Sequence, residues 1–309
     1  MIKGKLSGNQ RRNLSPRVMG LFLMIGCSVM ISFGGLIYRS FQDIEILEIV
    51  FFRSLALITY MSVFLCFKFK FEVIKNVKKI GLRGIFASAV FCLAQVSWLT
   101  ALKYTSVANA TFTLCVTPFV TAIVAYFFIR ESISRITFLT MFIAIIGVTI
   151  MVVGGLETTD NRGLLFAICT SVAFAVFAVI LRANRNLDML PVLLVTGIFM
   201  ALIGWFGGSF SNAIPLSDII LCLLWGTVLQ GFAHSLMIKA TRLILSAEIT
   251  LFMLLEFTLN PLWVWLFINE VPTLSTLLGG SIIILSVCVL AGNEMRYSFQ
   301  TKRDPLNDL

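Results

Sequence analysis

The hydrophobic positions along this chain run in long blocks; they neither alternate nor keep to one helical face. Ile46 to Phe67 reads ILEIVFFRSLALITYMSVFLCF, with a single basic residue, Arg53, inside it. A block of about 18 or more apolar residues is long enough to cross a hydrocarbon core about 30 Å thick. A membrane β-barrel would instead show alternating segments of about ten residues, and none is seen. Ten blocks fall at 17–38, 46–67, 82–102, 107–129, 136–155, 163–181, 189–210, 216–238, 244–268 and 272–292. They predict an all-α integral membrane protein with ten transmembrane helices. The connectors are too short for a separate soluble domain.

Composition agrees. Of 309 residues, 59% are hydrophobic and 13% charged, against roughly 25% charged in a soluble domain. The net charge of +9 sits in connectors and tails, so it points to an anionic lipid surface and not to nucleic acid. Seven cysteines lie in or beside apolar blocks without a CxxC pair, which implies no metal site and no disulfide framework.

Basic residues favour the cytoplasmic side of a membrane. With the N-terminus inside, twenty of the 24 lysines and arginines fall on inner segments and only Arg39, Lys103 and Arg162 on outer ones; Arg53 is left over. Both termini are therefore expected in the cytoplasm. Residues 1–16 and 293–309 read as cytoplasmic tails. The first apolar run continues past 20 residues without a small-residue cleavage site, so it reads as an uncleaved span. The expected location is a bacterial inner membrane, crossed many times.

The halves 17–155 and 163–292 resemble each other. ALKYTSVANATFTLCVTPFVTAIVAYFFIRE from Ala101 lies over ATRLILSAEITLFMLLEFTLNPLWVWLFINE from Ala240 without a gap, matching Ala108 to Ala247, Thr111 to Thr250 and Glu131 to Glu270. GLFLMIGCSVMISFGGLIYR from Gly20 lies over GLLFAICTSVAFAVFAVILR from Gly163. Five spans per half is an odd number, so the second half enters from the opposite side. Inverted repeats around a midplane site recur in secondary transporters.

The pattern ALKYTSVANA, then Thr117-Pro118, then a helix ending Arg130-Glu131, then Gly147-Val148, together with FFRSLA in the second span, resembles the EamA repeat of the drug/metabolite transporter superfamily. The resemblance covers about 17–292 and implies ten helices in two five-helix repeats, with secondary transport of small metabolites such as amino acids, nucleosides or S-adenosylmethionine. The second half departs from the pattern: the usual Glu-Pro pair appears as Glu256-Phe257, with the proline at Pro261.

Polar residues inside spans are costly and point to function. Arg53 lies about 10 Å below the outer edge at 1.5 Å per residue. It either snorkels to the outer headgroups or lines a substrate path. Glu256 lies about 18 Å from the inner edge, close to the depth of Arg53, so the two are candidates for a pair. Asn260, at i+4, shares its face. Gln95 and Trp98 in the third span lie at similar depth. These five are the candidate substrate-binding residues. Glu256 and His234, the only histidine, are the candidates for ion or proton coupling. Gln230, four before His234, and Asn109 are further polar positions; interhelical packing is the alternative role for these, for Gln95 and for His234 itself. Pro118 is expected to kink the fourth span.

The leading reading is a secondary transporter of a small polar metabolite, an amino acid or related zwitterion, working by alternating access. Its partners would be that small molecule and the bilayer; a homodimer is compatible with the sequence. The alternatives are a channel or a membrane-embedded partner protein. An integral-membrane transferase is disfavoured, since there is no DxxD, no HxxxH and one histidine, and the missing Walker A motif disfavours ATP-driven pumping; neither enzymatic activity nor a cofactor is expected.

Overall fold

The computed structural model describes residues 15–42, 44–105, 110, 113–153, 161–210, 214–269 and 273–303. The first helix, α1 (Pro16–Ile31), begins where the sequence supplies a start. Ser15 accepts from the Val18 amide at 3.3 Å, and Pro16 takes the first turn, where its missing N–H costs nothing. After a two-residue turn the chain re-enters a helix as α2 (Gly34–Ser40). Then come α3 (Ile46–Phe69), a 3₁₀ turn (Lys70–Glu72), α4 (Val73–Lys79) and α5 (Gly81–Tyr104). These are followed by α6 (Thr117–Ile129), α7 (Arg135–Val153), α8 (Asn161–Ala183) and α9 (Pro191–Gly207). Next, α10 (Leu216–Leu224) runs through a π-helical stretch, Trp225–Ala233, into α11 (His234–Ala240). The last two are α12 (Ser246–Ile268) and α13 (Leu274–Arg303). No strand occurs among the described residues.

Among the described residues, six helical stretches are long and apolar enough to cross a membrane: Pro16–Ser40, Ile46–Phe69, Gly81–Tyr104, Asn161–Ala183, Leu216–Ala240 and Ser246–Phe267. Four shorter apolar helices, Thr117–Ile129, Arg135–Ile150, Pro191–Gly207 and Leu277–Asn293, lie where the remaining blocks fall. The outward faces carry large apolar side chains such as Phe67, Phe128 and Phe206, as lipid contact requires.

Several expectations change in detail. The first span is interrupted at Ser32–Phe33. A stack of Phe33 on Trp263 (centroids 4.3 Å apart) and a 2.7 Å hydrogen bond from Trp263 Nε1 to Ser32 Oγ brace the interruption. Pro118 does not kink a continuous helix. It sits in the first turn of α6, just past a turn at Cys115–Val116, where no intrahelical bond is lost. The last helix runs on to Arg303, beyond the expected limit at 292, and the connector after the second span contains α4.

The helix pairs relate the two halves of the chain. α3 pairs with α9, α7 with α13, and α6 with α12. α5 packs on α8, and α1 on the π stretch and α11; α6 packs on α8, and α1 on α12. Exchanging the two halves maps this set of pairs onto itself. The glycines matched in sequence show the same relation. A Cβ on Gly20 would lie 2.8 Å from Ile244, and one on Gly163 would lie 2.6 Å from Thr105. Ile244 and Thr105 are themselves equivalent in the gapless alignment. The aligned residues Arg130 and Asn269 each end a helix in the left-handed conformation, at φ 53° and 61°.

Candidate functional site

Arg53 does not snorkel. It is 1% exposed, in the second turn of α3, against an apolar cluster that includes Val50, Cys92, Met200, Cys222 and Trp225. Burial of an arginine is tolerable only with compensation. Here its Nη2 donates to Gln95 Oε1 at 3.3 Å, and the guanidinium carbon lies 5.1 Å from the centre of the Trp225 ring. Its Nε is buried with no hydrogen-bond partner, and no carboxylate pairs with it among the described residues. The nearby acid Glu48 has another task. Its Oε2 accepts from the Glu45 amide at 3.1 Å, capping α3, and its Oε1 accepts from the Phe210 amide at 2.9 Å.

Glu256 and Asn260 lie elsewhere, where α12 meets the broken first span. Glu256 is half-buried and within electrostatic reach of the Cys27 thiol; it makes no ion pair or hydrogen bond among the described residues. The Asn260 amide fills the space that a Cβ on Gly35 would need, and its Oδ1 is buried without a partner. The structure therefore brings Arg53 and Gln95 together but forms no ion pair between Arg53 and Glu256. Trp98 is separate again: it packs on Ala101, Ala110 and Ala167. His234 is 5% exposed, its Nδ1 3.0 Å from the Leu229 carbonyl and its ring against Phe91, within electrostatic reach of Arg53. Asn109 lies outside the described residues.

Two contributors escape a reading of the sequence. Trp225 supplies the aromatic face over Arg53. Gly226 lets the π stretch approach so closely that a Cβ there would run into the Arg53 carbonyl. The Trp-Gly pair inside an apolar block was the available signal. An apolar crevice of about 360 Å³ opens nearby, between the first span and α10 with its π stretch; Ser40 is the one polar residue among those lining it. It has no polar chemistry of its own. No cluster of three His, Cys, Asp or Glu side chains suited to a metal occurs among the described residues.

One end of the bundle is cross-tied. Glu131 Oε1 accepts from Arg182 Nε at 2.9 Å, Glu131 Oε2 accepts from the Ser246 amide at 3.0 Å, and Arg182 Nη1 donates to the Thr241 carbonyl. Arg17 meets Glu248 at 2.7 Å, and Lys68 pairs with Asp188. These ties link helices of both halves at the end that carries most of the basic residues.

No curated protein matches this chain. A solved crystal structure with 14% sequence identity superposes with a TM-score of 0.73, covering 89% of this chain and 96% of its own, so the helical arrangement is a known fold. Residues 18–153 match the EamA-like transporter family. The apolar helical bundle and this match together make the chain a multi-pass membrane protein whose residues 18–153 are similar to the EamA-like transporter family.

Proposed function

We propose that the protein is a secondary transporter of a small anionic or zwitterionic metabolite, with Arg53 as the group that receives the substrate's carboxylate or phosphate. The carrying observation is a fully buried guanidinium with an unused Nε and no acidic partner among the described residues. Such a charge is expensive to keep unless a counter-ion arrives. Gln95 orients the guanidinium and Trp225 covers its face. Glu256, where α12 meets the broken first span, receives a coupling proton or a cationic group remote from the anion held by Arg53, with Asn260 beside it, and His234 is the second coupling candidate. In this reading ten spans form two inverted repeats, with both termini in the cytoplasm of a bacterium and the bundle in its inner membrane. The cross-tied end is then the cytoplasmic one, closed in this conformation. That closure favours alternating access over a standing channel.

The test is uptake into proteoliposomes of radiolabelled amino acids, nucleosides and S-adenosylmethionine, with and without a pH gradient. Saturable uptake lost in Arg53→Ala is the expected result, and a rate that follows the gradient in wild type but not in Glu256→Gln assigns the coupling. Uptake that survives Arg53→Ala unchanged overturns the central role of this arginine.

A further inference from the structure

The π-helical stretch carries a second unsatisfied group. Gln230 is 1% exposed. Its Nε2 donates to Met200 Sδ at 3.2 Å, while its Oε1 is buried with no hydrogen-bond partner. Met200 belongs to the same apolar cluster as Cys92, Cys222 and Trp225, the residues packed round Arg53.

The winding of the backbone explains why Gln230 is there. Trp225 and Gln230 are five residues apart. In an α-helix of 3.6 residues per turn, five residues place two side chains about 140° from each other. π winding closes its hydrogen bonds from i to i+5, which sets residue i+5 nearly above residue i. The π stretch spans Trp225–Ala233, so it turns Gln230 onto the face that already presents Trp225 to Arg53. Ordinary α winding would send one of the two elsewhere. Gly226 fixes this face against α3 at Arg53 itself.

The Arg53 site therefore contains an unused buried donor, the guanidinium Nε, and an unused buried acceptor, the Gln230 amide oxygen. We infer that Gln230 is a specificity-determining residue of this site, and that its amide oxygen accepts a hydrogen bond from an N–H or O–H donor on the anion held by Arg53. The inference rests on the proposed role of Arg53 in substrate binding. It narrows the substrate to an anion that carries its own donor close to the charge, an amino or hydroxy acid rather than a simple carboxylate. A plain carboxylate would leave the Gln230 oxygen buried and unpaired, and sites built to bond a donor discriminate strongly against analogues lacking it.

The experiment uses purified full-length protein in nanodiscs and two probes with one carbon skeleton, L-leucine and 4-methylpentanoate, which differ by the amino group. Equilibrium binding of each is measured for wild type, Gln230→Leu, Gln230→Met and Arg53→Ala. The wild type is expected to prefer leucine by about tenfold or more. Both Gln230 variants are expected to bring that preference to within about twofold, mainly by weakening leucine. Having two apolar replacements of different shape guards against one that does not fold. Arg53→Ala is expected to lose both probes. A preference that persists in a folded Gln230 variant, with both probes still dependent on Arg53, overturns the role of Gln230 and leaves the arginine site standing. Equal wild-type binding of the two probes through Arg53 does the same. Absence of Arg53-dependent binding for either probe overturns the arginine site itself.

Discussion

Replacing Glu131 by Gln should loosen the cross-tied end of the bundle. Its carboxylate holds α8 through Arg182 at 2.9 Å and the start of α12 through the Ser246 amide at 3.0 Å. Both side chains of the ion pair are 11% exposed, so water screens them little. Removing one member of a fully buried pair costs about 3–5 kcal/mol. The residual exposure, and the carbonyl that Gln keeps, reduce this to about 2–3 kcal/mol. Arg182 keeps its bond to the Thr241 carbonyl, which limits the loss further. The assay is a double-mutant cycle of Glu131→Gln, Arg182→Gln and the double variant, read as unfolding free energies in a fixed detergent. A coupling energy of about 1–2 kcal/mol is expected, since the two side chains touch. A coupling below about 0.5 kcal/mol, or a single variant as stable as wild type, would refute the claim that this pair closes the end.

Other consequences are as direct. Gly226→Ala should destabilise by about 1–3 kcal/mol, because the added methyl meets the Arg53 carbonyl; thermal unfolding measures it, and an unchanged midpoint contradicts the contact. Ser28→Ala removes the 2.8 Å bond to the Phe252 carbonyl between α1 and α12 and should cost about 1 kcal/mol in the same assay. Trp263→Phe keeps the stack on Phe33 but loses the bond to Ser32 Oγ, with a similar expected cost of about 1 kcal/mol, whereas Trp263→Ala should cost about 3–5 kcal/mol. Reporter fusions at both termini should give cytoplasmic signals only; a periplasmic signal at either end contradicts the proposed orientation.

The apolar blocks made the helices legible because lipid imposes length and composition on each span. The oddness of Arg53 was equally plain, but the sequence left snorkelling and a substrate path both open, and only its burial decides between them. What covers it was not plain. Trp225 and Gln95 reach it from other helices, and no local pattern encodes that meeting. Equal depth made Arg53 and Glu256 look like partners, but depth fixes only one of three coordinates. Glu256 faces the broken first span instead, near Cys27. The interruption at Ser32–Phe33 had a local hint in Gly34-Gly35, a pair that weakens helix, yet the brace that holds it comes from Trp263, over two hundred residues away. The π winding at Trp225–Ala233 had no sequence signal beyond an unremarkable Trp-Gly, because a side chain's angular position is set by backbone winding as well as by spacing.

The paired glycine contacts carry a mechanical consequence. Gly20 presses α1 onto the chain at Leu243 and Ile244, and Gly163 presses α8 onto the chain at Thr105, each without room for a methyl group. Segments in such contact cannot slide past one another without first separating, but they can tilt about the point of touch. Each contact is a fulcrum that joins the first helix of one half to a loop of the other. Gly20 lies near the start of α1, beside the cross-tied end, and Gly163 lies near the start of α8, beside the end of α5. In the proposed alternating-access cycle, two such pivots at opposite ends of the bundle would let one tilt open one mouth as it shuts the other.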